Sequence, residues 1–486
     1  MRQRPHPRDY GSLLIWVFVC ATLHVSLAQG APPATPNAGP MPSMPLDEAL
    51  AYAQRHQPSL LAAQARVSVA EQTHKAVLAE WLPLFGATAQ LFYGTMNNST
   101  AMFQGVRTVD VPRIGGSRSD GSWPDAHPST LVAAGVRQLV FDFGRLSSLA
   151  AAAAAETRAQ RHQASFAAME LALQVELQFY AVRAAHAVQH IAEEALNRAT
   201  QRKNLTQAFV ERGLRAQVDL TRVEADVARF EVLRLRAQAG LELSQTLFAA
   251  IVGVPEPLLD AAEQDETKNV QTLVGPTPDQ ALDHALENEP ALRAALAKWD
   301  AQRATTRATQ RAWAPVLSFT GAVSGRAGGA PQNSGPSDFS GLLPAVPNWH
   351  AGLVLQAPIF DATLLSRIAA SRAQEQVLEH EVQAVRRRMV ADVQRAYATA
   401  RLAEGSLPAL LKAAQAAQKN AQQAQARFQN GLGPAVELAD AEALQHVAEL
   451  DLAVGRFEVS RSLALFRRAV AQVGTGADAA QTTQRR

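Results

Sequence analysis

The amino-acid sequence predicts a mainly α-helical protein that also carries a membrane β-barrel segment, the whole built as two copies of one unit. Three observations predict it. The chain matches itself at a nearly constant offset, it contains pairs of short stretches with strict apolar–polar alternation, and it contains two very long stretches almost free of glycine and proline. The self-match is the most informative. Residues 46–85 fall on 278–317 without a gap, an offset of 232 (278 against 46). Asp47 falls on Asp279, Ala49 on Ala281, Leu50 on Leu282, Pro58 on Pro290, Trp81 on Trp313 and Pro83 on Pro315. Chance aligns alanines in an alanine-rich chain, but rarely two tryptophans and two proline pairs in one register. A second match, at an offset of 218, sets Gly213-Leu214 on Gly431-Leu432 and Val218, Leu220, Glu224 and Ala225 on Val436, Leu438, Glu442 and Ala443.

Taken in order, residues 1–28 read as a signal peptide. Arg2, Arg4 and Arg8 precede an apolar run from Leu13 to Cys20, and Ser26-Leu27-Ala28 puts small residues before a cut ahead of Gln29. The run is short for a membrane span. Cys20 is the only cysteine, and Val19 before it is not the small residue that lipidation wants. Cleavage after Ala28 leaves no thiol and no disulfide. Residues 29–45 form an N-terminal extension. The net charge of +2 over 486 residues, with no basic block, argues against a nucleic-acid partner. No mature stretch holds eighteen uninterrupted apolar residues, so any membrane span must be made of strands.

The first repeat covers 46–252 and the second 278–473, joined by a Pro/Gly/acid-rich linker at 253–277 and followed by a flexible tail at 474–486. In each repeat an aspartate, Asp47 or Asp279, is suited to cap a short helix, and Pro58 or Pro290 marks the break before a second one. Pro83 or Pro315 stops that second helix just after Trp81 or Trp313. Alternation follows. Leu317, Phe319 and Val323 share one face of 316–326, against Ser318, Thr320, Ser324 and Arg326. Trp349, Ala351, Leu353, Leu355 and Ile359 share one face of 349–359, against His350, Gly352 and Gln356. A weaker version occupies 84–93 and 131–141, where Tyr93 and Phe141 suit the membrane–water boundaries. The length and pattern fit transmembrane β-strands, although a soluble hairpin alternates in the same way. Between paired strands, 94–130 and 327–348 read as long loops.

After the strands, 146–211 and 364–429 predict helices about 100 Å long at the usual rise per residue, with Gly405 and Pro408 marking a bend or break in the second. Glycine turns at Gly213 and Gly431 return the chain into the second arms of two helical hairpins, 146–251 and 364–472. Four strands in one chain cannot close a barrel, and lipid does not tolerate open strand edges. Several chains must therefore contribute strands to one barrel.

These features in this order resemble the TolC-type outer-membrane efflux proteins, the outer membrane factors of tripartite efflux and type I secretion systems. The resemblance rests on the duplicated Leu46-Asp47-Glu48-Ala49-Leu50 opening, the Trp81-x-Pro83 and Trp313-x-Pro315 junctions, the Phe141-Asp142-Phe143-Gly144 exit from the strands, and the Gly213-Leu214 and Phe428-Gln429-Asn430-Gly431-Leu432 turns. It implies a homotrimer in the outer membrane of a Gram-negative bacterium, with a twelve-stranded barrel in the lipid and an α-helical tube extending into the periplasm. It further implies a periplasmic adaptor protein docked on the tips Gly213, Leu214, Gly431 and Leu432, and an inner-membrane pump that supplies the energy. Family members often carry acids six and nine positions after the second-repeat glycine, where they narrow the closed entrance; here these are Glu437 and Asp440. The matching first-repeat positions are Asp219 and Arg222, so that tip is less acidic. Gly433-Pro434 directly after the second tip departs from the pattern.

No enzyme constellation stands out, and no catalytic residue or cofactor is expected. His186, His190 and Glu194 fall on one helix face at a spacing that can hold a divalent metal, but there is no His-Glu-x-x-His pattern and no fourth ligand nearby, so a polar helix stripe is the simpler reading. The competing function class is a soluble periplasmic coiled-coil scaffold or adaptor, which usually has one helical hairpin rather than two. The sequence does not name a cargo.

Overall fold

A computed structural model describes residues 42–95, 126–262, 278–328 and 346–471. The signal-peptide segment, most of both long loops, most of the linker and the C-terminal tail lie outside the described residues, as do the side chains of Tyr93 and Arg326. After β1 (Ser43–Met44), the first repeat runs α1 (Leu46–His56), α2 (Pro58–Ala79), β2 (Leu84–Thr95), β3 (Ala126–Phe141), α3 (Arg145–Glu211) and α4 (Gln217–Val252), and β4 (Asp260–Ala261) follows it in the linker. The second runs α5 (Pro278–Asn288), α6 (Pro290–Gln310), β5 (Val316–Gly328), β6 (Val346–Gln356), α7 (Ala362–Gln429) and α8 (Ala435–Ala469). A single 3-10 turn, Arg311–Trp313, carries α6 into Pro315 and β5.

The sequence repeat becomes a core built twice. In the first repeat Ala49, Ala53, Leu60, Leu171, Val175, Phe179, Phe248 and Val252 are buried together. Their counterparts Ala281, Ala285, Leu292, Met389, Val393, Phe466 and Val470 form the second core, with Tyr397 packed against it in the place of Phe179. The edge-to-face pair Phe179–Phe248 at 5.9 Å has its counterpart in the tilted pair Tyr397–Phe466 at 5.8 Å. Burying these side chains supplies most of the local stability, because single helices of this length are held by their apolar stripe rather than by propensity.

Lateral order is the same along the whole molecule. In the half nearer the strands α3 packs between α2 and α6, and α6 packs on α7; in the half nearer the turns α3 packs between α4 and α8, and α8 packs on α7. The strands follow suit in one antiparallel sheet of order β2-β3-β5-β6. The central β3–β5 pair therefore joins the two repeats, with a bulge between Leu139 and Phe141.

Three expectations need correction. Asp47 and Asp279 do not occupy N-caps: they sit in the first turns of α1 and α5, where a carboxylate favourably faces the helix N-terminus. α7 does not break at Gly405 and Pro408, since helix continues through Pro408. Two residues beyond the proline, Leu410 lies so close to Gly455 of α8 that a Cβ there would stand 2.4 Å from it. Finally, two strands differ from expectation: β3 begins at Ala126, inside the stretch expected as loop up to 130, and β6 occupies Val346–Gln356 rather than 349–359. Ile359 falls beyond the strand and is 98% exposed, because Pro358 cannot donate to a ladder.

Candidate functional site

The sheet has two chemically distinct faces. Residues directly opposite in an antiparallel ladder share a face, so the register sorts them. One face gathers Phe85, Ala87, Leu91, Val132, Ala134, Val136, Leu317, Phe319, Val323, Trp349, Leu353 and Leu355, with Thr130 and Gln138 as its polar members. Much of it is exposed, including Phe85, Leu91, Val323, Trp349, Leu353 and Leu355. The opposite face carries Thr88, Gln90, Arg137, Ser318, Thr320, Ser324, Asn348, His350 and Gln356, with Leu84, Leu131, Leu139, Val316 and Val354 as its larger apolar members. Large apolar side chains held outward in this way are costly in water and favourable in lipid. At the helix end of the sheet Phe141 and Phe143 meet edge to face at 4.7 Å, and Trp81 is partly exposed. Pro83 and Pro315 each stand one residue before a strand, at Leu84 and Val316. Arg311 of the second repeat fixes the start of α3 by donating to the Gly144 carbonyl and the Ser148 hydroxyl, each at 2.7 Å.

The two outer strands, β2 and β6, each have one unpaired edge in this chain. Beside β2 lie α2 and α4, which expose Leu61, Val69, Val218, Val232, Leu235, Leu243 and Leu247; beside β6 lies α7, which exposes Leu365, Val377, Leu402 and Leu411. Open ladder edges and apolar helix stripes thus coincide on the same two flanks.

At the far end the two tips are built alike. Gly213 and Gly431 both have φ +71°, a left-handed conformation that favours glycine. In each, the residue after the glycine donates back across the last turn: Leu214 N–H to the Phe209 carbonyl and Leu432 N–H to the Arg427 carbonyl, both at 2.8 Å. Leu214 and Leu432 point into solvent. The tips are linked across the repeats. The Arg215 guanidinium donates to the Gly433 carbonyl at 2.7 Å and lies over the Phe428 ring, which meets Phe209 edge to face. The two expected gate acids differ. Glu437 is bound by Arg427 of its own hairpin at 3.0 Å, whereas Asp440 is exposed with no ion-pair partner among the described residues.

Above the tips lies a charged cluster that sequence reasoning missed. Arg202 of α3 is buried between Asp226 of α4, at 2.6 Å, and Glu442 of α8. Arg198 pairs with Glu449 at 3.0 Å, and His446 packs edge to face against Phe230. Burial pushes the Glu442 carboxyl above its usual range; Arg202 and Arg198 pull the other way, and the neighbouring Asp226 carboxylate adds to the rise. Burial, with Arg198 nearby, pushes His446 down. The candidate metal ligands do not converge: His186 Nε2 contacts Asp260 Oδ1 at 2.7 Å, while the exposed His190 is 3.8 Å from Glu194. Among the described residues no group of acids, histidines and cysteines is arranged to hold a metal ion.

Known structures share this architecture. The chain is similar to the outer-membrane channel OprN (18% identity, TM-score 0.71, covering 88% of this chain and 90% of that one). It is also similar to the outer membrane protein VceC of Vibrio cholerae (17%, 0.69, 88% and 96%) and to the MtrE outer membrane channel of Neisseria gonorrhoeae (19%, 0.69, 88% and 88%). At these identities the likeness establishes the fold. No curated protein matches the sequence significantly. The family model "outer membrane efflux protein", however, matches residues 49–253 and 281–472, both repeats and most of the chain. This chain belongs to the outer membrane efflux protein family.

Proposed function

We propose that the chain forms the homotrimeric exit duct of a tripartite efflux or secretion system, passing cargo from a periplasmic adaptor and inner-membrane pump to the cell exterior. One observation carries this reading: unpaired strand edges and apolar helix stripes lie on the same two flanks at every level. A strand β6 running antiparallel to the next copy's β2 continues the alternation of directions in the sheet, and repetition around an axis turns four strands into a closed twelve-stranded barrel. The same rotation sets α7 against the neighbour's α2 and α4 and closes the helices into a tube. The apolar sheet face then meets outer-membrane lipid and the polar face lines the lumen.

The adaptor docks on the tips, where Leu214 and Leu432 are presented by rigid glycine turns. Glu437 and Asp440 narrow the periplasmic entrance. Because Arg427 neutralises Glu437, the free charge of that ring comes chiefly from Asp440. The duct performs no chemistry. In planar bilayers Asp440→Ser, alone or with Glu437→Ser, is expected to raise single-channel conductance. Unchanged conductance in both variants refutes the gate, and recovery of the protein without detergent refutes the duct.

A further inference from the structure

The sheet carries cations and no acids. The four strand sequences contain Arg137, Arg326, His127 and His350, and neither aspartate nor glutamate. The register sets Arg137 in a row with Leu84, Thr320 and Gly352 on the polar face, and His350 on that face one row away. Arg137 is exposed and has no ion-pair partner among the described residues. At the opposite end of the molecule the charges are mixed, with Asp440 free at the second tip among Arg212, Arg215 and Arg427.

We propose that the barrel is an anion-attracting stage of the duct, that Arg137 sets its charge selectivity, and that anionic solutes are the cargo class it favours. The inference rests on the trimeric-barrel reading, in which the polar face lines the lumen. An exposed arginine on an open surface is ordinarily just solvated. In a barrel, three copies face one axis across a confined water column. Twelve strands about 4.8 Å apart and tilted about 40° give a backbone radius of about 12 Å, which leaves an arginine's charge about 6 Å from the axis. The screening length at 0.1 M salt is about 10 Å, so the field of the three guanidinium groups spans the lumen. The low-dielectric wall focuses it further. With no carboxylate on the strands to cancel it, chloride and organic anions are enriched there and cations depleted.

The test is the reversal potential of the purified full chain in planar bilayers under a tenfold KCl gradient at low total salt. Arg137→Gln is expected to lower the chloride-to-potassium permeability ratio, on the order of threefold, by removing three screened charges. Arg137→Glu should lower it further, and Arg137→Lys should keep the wild-type ratio. Thr320→Glu, which adds an acid beside Arg137 without removing it, should lower the ratio by itself. Asp440→Ser should move it the other way. If channels open but Arg137→Gln and Thr320→Glu both keep the wild-type ratio, the selectivity inference fails while the duct stands. If the wild-type protein opens no channels, the duct reading fails and takes the inference with it.

Discussion

The two repeats share a core but hold it in place by different chemistry. Gln57 and Glu289 occupy equivalent breaks between paired helices, with nearly the same backbone angles, φ −71°, ψ 117° and φ −65°, ψ 116°. In the first repeat the Gln57 amide donates to the carbonyls of Ala250 and Ile251 at the end of α4. In the second the Glu289 carboxylate accepts from Arg468 at 3.0 Å, and Arg468 stands where the first repeat has Ala250. A neutral clamp and a charged one thus hold the same helix break at nearly the same backbone angles. The hairpins diverge in the same way. α3 lies at the centre of the protomer, whereas α7 lies at its flank and is exposed along most of its length. The geometry is common to both copies, while the side chains differ with each copy's place in the protomer.

The largest break in this pairing should come from Arg202, which joins both hairpins and has no counterpart role in α7. Arg202→Ala leaves Asp226 and Glu442 facing each other without a cation, and should cost about 3–5 kcal/mol per protomer. The thermal midpoint followed by circular dichroism checks this, and adding Asp226→Asn and Glu442→Gln should recover part of the loss. Next, Phe248→Ala and Phe466→Ala should each cost about 3–5 kcal/mol, because they empty equivalent sites. A large loss from one and almost none from the other breaks the claim that the core is duplicated.

A smaller and more selective test moves the clamp. Gln57→Glu turns a donor into a charged acceptor facing two carbonyls, and should cost about 1–3 kcal/mol. Adding Ala250→Arg recreates the second repeat's pair and should restore most of it; equal destabilisation with and without the arginine contradicts the equivalence. The smallest effect is a pH dependence. Burial lowers the His446 pKa, and the groups acting on it are Arg198, Arg229 and Glu449. Its neutral form is therefore favoured in the folded protein. The unfolded chain takes up the proton first, at about pH 6.5, so the stabilisation is full above that pH and is lost as the pH falls through and below it. The melting temperature should drop between pH 7.5 and 5.5, and the drop should be smaller in His446→Gln.

The architecture was legible in the sequence wherever one residue type carries one physical constraint. Trp81-x-Pro83 and Trp313-x-Pro315 mark where helix must give way to strand, and Gly213 and Gly431 mark left-handed turns. The lateral order was not legible, because alternation says which way a side chain faces but not which strand lies beside it. The Arg202 cluster was hidden for a similar reason. Its partners are 24 and 240 residues away, and a lone arginine on a long helix looks like any solvated one. The Arg427–Glu437 pair could have been found: a base in the last turn of α7 and an acid in the first turn of α8 face each other across a tight tip. Pro408 misled because a proline inside a long helix costs one backbone hydrogen bond without having to end the helix.

A duct requires that the two open flanks be closed by further copies of the same chain in a membrane. The direct measurement is the mass of the protein extracted from outer membranes in mild detergent, by light scattering corrected for bound detergent. Three chains per particle, lost on substituting charged residues for Leu243 and Leu247 on the α4 flank, is the expected result. A single chain in the particle, or a protein that leaves the membrane fraction without detergent, contradicts the account.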